Sequence, residues 1–179
     1  MDTQQLTLGL INVAGGILVL GSYAYGLITH PASRDAIWGG VPQAIKPLYT
    51  ANMLLAAAGY LAFTYFVMFS LNRDGAQLAN LSGFKVFYIL YALILFPSAL
   101  WMPLTYAALG HPGSVLYYWA VRITLAIVGL ASLALLGVLL SLQSGESSPT
   151  YWLAVAGAVF FCIQTAVLDA IVWSAYFRV

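Results

Sequence analysis

Apolar residues fall in five long runs along this chain, and the stretches between them are short and rich in turn formers. The runs cover about 6–28, 45–71, 83–109, 115–142 and 150–176. A helix needs roughly 20 apolar residues to cross a bilayer core, whereas a barrel strand needs about 10, so runs of this length predict spanning helices. The punctuation agrees: "THPASRDAIWGGVP", "NRDGAQLANLSG", "GHPGS" and "QSGESSP" separate the runs, each with glycine, proline, asparagine or serine. The first connection is the longest. The first run begins near Leu6 with no lysine or arginine before it and exceeds a signal-peptide core of roughly 7–15 residues, so it is expected to stay as a helix.

Composition sharpens this picture. The chain is 63% hydrophobic and 6% charged with a mean hydropathy of +0.93, against roughly 25% charge in a soluble domain. The expected fold is an all-α membrane protein, a five-transmembrane-helix bundle forming one domain over 1–179. A net charge of +1 without any basic run offers no footprint for nucleic acid. Cys162 is the single cysteine, which leaves no internal disulfide, CxxC pair or thiolate zinc site and suits a small packed side chain.

Five spans put the termini on opposite faces. Arg34, Lys46, Arg122 and Arg178 lie toward the face of the first loop, third loop and C-terminus, and Arg73 and Lys85 toward the other. The excess predicts a cytoplasmic C-terminus. Small residues at helical spacing, Ser22 with Gly26 and Ala154 with Ala158, fit close helix packing within one chain or a homodimer face.

Polar and aromatic residues gather in one half. With a rise of about 1.5 Å per residue, Trp101, Arg122 and Asp169 all lie roughly 10–12 Å from the C-terminal-side surface. Trp38, Trp119 and Trp173 belong to the same half, and Trp152 to the other. Trp119, Trp152, Tyr117, Tyr118 and Tyr176 fit an interfacial belt. Trp101 is deeper and sits between Pro97 and Pro103, whose missing donors free carbonyls that a cavity or neighbouring side chains must satisfy. Ionisable groups within a span face the bundle interior or a partner. Arg122 and Asp169 are therefore expected to pair, or else Arg122 reaches the interface while Asp169 faces a pocket. His30 and His111, each followed by proline, are loop histidines without the partner spacing of a metal or haem site. No GxSxG, HExxH, P-loop or dinucleotide fingerprint occurs.

Three stretches resemble the translocator protein family, also called tryptophan-rich sensory proteins (TspO/MBR). "ALWMPLTY" in the third run is similar to W-x-P-[LI]-x-[FY], "LDAIVW" in the fifth to L-N-x-x-[VI]-W, and "PLYTANM" in the second to L-Y-[ST], with Gly59 and Tyr60 matching a later Gly-Tyr pair. The chain departs from the pattern in spreading a tryptophan-proline signature over Trp38, Pro42 and Pro47, in carrying Arg122, and in placing Asp169 where the family has asparagine.

The resemblance implies a five-helix bundle with a pocket in one membrane half, covered by the first loop, that binds porphyrins, sterols or synthetic aromatic ligands. It also implies frequent dimerisation. Expected ligand-contacting residues are Trp38, Tyr49, Met53, Pro97, Trp101, Pro103, Tyr106, Arg122, Asp169 and Trp173, with porphyrin or haem as a ligand rather than a required cofactor. The helix-five sterol pattern reads here as Val172, Tyr176 and Arg178. The leading expectation is a binding or sensory protein for a planar hydrophobic ligand in the bilayer. The alternatives are an enzyme that degrades or modifies porphyrin, with Trp101 and Trp38 as redox-capable side chains, and a small transporter or channel lined by Arg122 and Asp169. No internal repeat of the kind transporters often carry is visible.

Overall fold

The computed structural model describes residues 3–71, 84–142 and 148–178. Arg73 and most of the second and fourth loops lie outside the described residues. Helix α1 is Thr3–Thr29. Helix α2 is Lys46–Tyr65, continued by a wider π-helical turn at Phe66–Ser70. Helices α3 and α4 are Lys85–Gly110 and Val115–Ser141. Helix α5 spans Pro149–Tyr176, with α-helix to Cys162, π-helix over Ile163–Trp173 and a closing α-helical turn. All five are long and apolar enough to cross a membrane. The protein is an all-α five-helix bundle and a multi-pass integral membrane protein.

Local chemistry sets the helix ends. Pro149 opens α5, where its missing N–H costs nothing, and the Ser148 hydroxyl accepts from Tyr151 N at 3.2 Å. Pro97 and Pro103 do not break α3, which runs through both. Ser98 and Thr105 beside them donate to the carbonyls of Ile94 and Trp101.

Helix α5 packs on α2 and α4, and α3 packs on α1 and α4. The α2–α5 contact is backbone against backbone: a Cβ on Gly59 would lie 2.3 Å from the Gly157 carbonyl oxygen, and one on Gly157 would lie 2.6 Å from Gly59 Cα. The small residues singled out by spacing are used within the chain, since Gly26 receives Met102 and Tyr106 while Ala154 and Ala158 are buried.

The interior divides into two halves. One is a dry aromatic core around Phe63, Phe66, Phe87, Tyr91, Leu135 and Tyr151. The other gathers Val41, Tyr49, Val121, Leu168, Trp173 and Phe177 beneath the first loop. The polar residues of interest lie in this second half. Cys162 is buried, as a small apolar side chain would be.

Candidate functional site

Trp101 is half-buried and packs against the buried cluster of the second half. Its ring meets Tyr23 of α1 edge-on at 5.7 Å and Trp173 of α5 edge-on at 5.7 Å. Trp173 in turn stacks on Phe177 at 4.3 Å, and its Nε1 donates to the Ile37 carbonyl at 2.8 Å. The Trp101 indole nitrogen is buried with no hydrogen-bond partner among the described residues. An unpaired donor at this depth costs about 1–3 kcal/mol.

The first loop is seated on this group. It is built from three short 3₁₀ turns, Pro31–Ser33, Asp35–Trp38 and Gln43–Ile45. Gly39 and Gly40 have φ of 63° and 85°, where other residues are strained. Contact demands glycine here too: a Cβ on Gly39 would fall 2.9 Å from Trp173 Cε2, and one on Gly40 3.2 Å from the Tyr176 carbonyl oxygen. Trp38 meets Tyr49 edge-on at 6.2 Å, with the Lys46 ammonium over its ring at 5.1 Å from the centroid.

A polar chain runs beside the aromatic group. Asn52 of α2 donates to Gln164 Oε1 at 3.1 Å, and Gln164 Nε2 donates to Asp169 Oδ1 at 2.9 Å. The Tyr49 hydroxyl donates to the carbonyl of Leu168, next to Asp169. Gln164 and Asp169 are five residues apart, so on an α-helix they would point to different sides. The π-helical form, with its i to i+5 spacing, places them on one face.

The expected Arg122–Asp169 pair does not form. Arg122 donates from Nη2 to the Phe177 carbonyl at 3.1 Å and lies 4.1 Å from the centre of the Tyr118 ring. Asp169 is held by Gln164 instead. A long guanidinium on α4 reaches the carbonyl of Phe177 at the end of α5 without a carboxylate, while its Nε is buried with no hydrogen-bond partner among the described residues. Arg122→Met is therefore expected to cost about 1.5–3 kcal/mol through the lost charged hydrogen bond. Its effect should add to that of Asp169→Asn, and a coupling above about 0.5 kcal/mol in the double-variant cycle would contradict the separate placement.

Of the residues expected from sequence, Trp38, Tyr49, Trp101, Asp169 and Trp173 come together, and Arg122 joins at the edge through Phe177. Tyr106 belongs to a neighbouring contact, stacked on His30 at 4.1 Å. Met53 does not join. The buried stripe of α2 passes through Tyr49, Asn52, Ala56, Gly59 and Phe63, and Met53 falls beside it at 48% exposed. Pro103 is exposed and Pro97 half-buried. His111 Nδ1 donates to the Ala107 carbonyl at the end of α3. Tyr176 and Arg178 point outward.

Sequence reasoning passed over Tyr23, Asn52 and Gln164. The last two carried a usable signal, an amide within an apolar span. A separate shallow depression of about 230 Å³ lies at the start of α4, lined by Gly113, Ser114, Val115, Tyr118 and Trp119. No family model, curated protein or solved structure matches the chain.

Proposed function

We propose that this protein binds a planar hydrophobic ligand, of tetrapyrrole or sterol-like shape, within the membrane. The observation that carries the reading is the buried, unpaired Trp101 indole nitrogen inside a group of edge-on aromatic rings. Aromatic walls with a few converging polar groups are the usual make-up of a small-molecule site. Here Asp169 and Gln164 supply the polar groups, and the first loop with Trp38 is the cover.

The reading takes the motif resemblance to tryptophan-rich sensory proteins as a guide to ligand shape. It places the C-terminus in the cytoplasm, supported by the excess of basic residues on that face.

Titration of purified protein with protoporphyrin IX and haem, in detergent and in lipid, tests the proposal. A saturable spectral shift at one ligand per chain is expected, with the porphyrin recovered unchanged. A linear, unsaturable response would overturn it, and loss of the porphyrin spectrum over time would replace it with an enzyme.

A further inference from the structure

The same cluster carries an ionisable carboxyl that a simple apolar pocket lacks. Asp169 lies on the π-helical stretch of α5, and Gln164 is its one side-chain donor among the described residues. The Tyr49 hydroxyl donates to the carbonyl of Leu168, the residue before Asp169. Trp173, four residues beyond Asp169 along α5, meets Trp101 edge-on, so the acid and a wall of the aromatic group share one stretch of helix.

The basic residues of this half are committed elsewhere or exposed. Arg122 is bound to the Phe177 carbonyl and Tyr118, and Arg34 Nε donates to the Leu27 carbonyl at 2.9 Å. Lys46 sits over the ring of Trp38, and Arg178 is exposed. A carboxylate in a membrane span without a counter-cation is costly. Aromatic faces beside a carboxylate are the chemistry that recognises a cation, because ring quadrupole and charge attract it together. Lys46 over Trp38 shows a ring at the rim of this group already holding one.

We infer that the site prefers planar apolar ligands bearing a positive charge, such as a quaternised heteroaromatic nitrogen, with Asp169 as the counter-ion and the Tyr23, Tyr49, Trp101 and Trp173 rings as its walls. This rests on the reading above that the ligand occupies this cluster. It adds the charge of the preferred ligand, which shape alone leaves open. Asparagine at this position would keep the bond to Gln164 and lose the preference.

The test compares N-methylacridinium with acridine, two rings of nearly equal shape that differ in charge at pH 8. Dissociation constants are measured by tryptophan quenching in an uncharged detergent. Wild-type protein should bind the cation at least about tenfold more tightly. Asp169→Asn should bring the two affinities together by weakening only the cation, and Lys46→Met should preserve the preference. Equal affinities in the wild type overturn the inference without any variant, so a poorly folding substitution does not shield it. A preference that survives Asp169→Asn in folded protein overturns it as well. Failure of acridine, N-methylacridinium and protoporphyrin IX alike to bind the wild type removes the ligand site and the inference together. Binding of all three with no preference removes the inference alone.

Discussion

Gly59→Leu should cost the bundle about 3 kcal/mol, the upper end of what overpacking a filled interior costs. The reason is the crossing of α2 and α5, where the atoms nearest an added Cβ are the Gly157 carbonyl oxygen and Cα. Backbone cannot turn aside as a side chain can, so the two helices must separate along their shared face. Gly157→Leu should behave alike. Gly137→Leu is the control, since nothing lies within 4 Å of a Cβ added there, and its effect should stay within about 0.5 kcal/mol. Thermal unfolding in detergent, followed by circular dichroism, reads the difference. Equal midpoints for the Gly59 and Gly137 variants would show that α2 and α5 do not approach this closely.

Trp101→Ala should weaken porphyrin binding by about 30-fold, as removal of a central aromatic anchor typically costs about 2 kcal/mol or more. The effect should appear in affinity more than in stability. Trp101 is only half-buried, and its indole N–H has no partner to lose. Trp101→Phe keeps an aromatic face without the donor and should fall between wild type and alanine. If Trp101→Ala lowers the unfolding midpoint and leaves affinity unchanged, the residue is packing against Tyr23 and Trp173 and nothing more.

The five helices were legible because hydrocarbon imposes a length, and each run between turn residues meets it. Counting residues from each span end put Trp101 and Asp169 at one depth, and the structure has Trp101 against Trp173, four residues along α5 from Asp169. Facing was harder. Asp169 and Gln164 meet only because α5 widens to π-helix, and no proline or glycine within 163–173 marks that change. For Arg122 the sequence allows a pair with Asp169 or a reach to the interface, and a backbone carbonyl at Phe177 receives it instead; carbonyls carry no sequence signature. Met53 was taken from a motif whose inward face runs through Tyr49 and Asn52, one position away. Gly157 drew no notice because its role exists only opposite Gly59.

Fluorine NMR of protein labelled with 5-fluorotryptophan reads out whether a planar ligand lodges against Trp101. The five tryptophans give five resonances, assignable by single substitution. A porphyrin ring current displaces only nuclei close to it. Protoporphyrin IX should shift the Trp101 and Trp173 resonances and leave Trp152, in the opposite half, unmoved. A shift at Trp119, which lines the depression at the start of α4, with Trp101 unmoved would place the ligand there and rule out a site at Trp101.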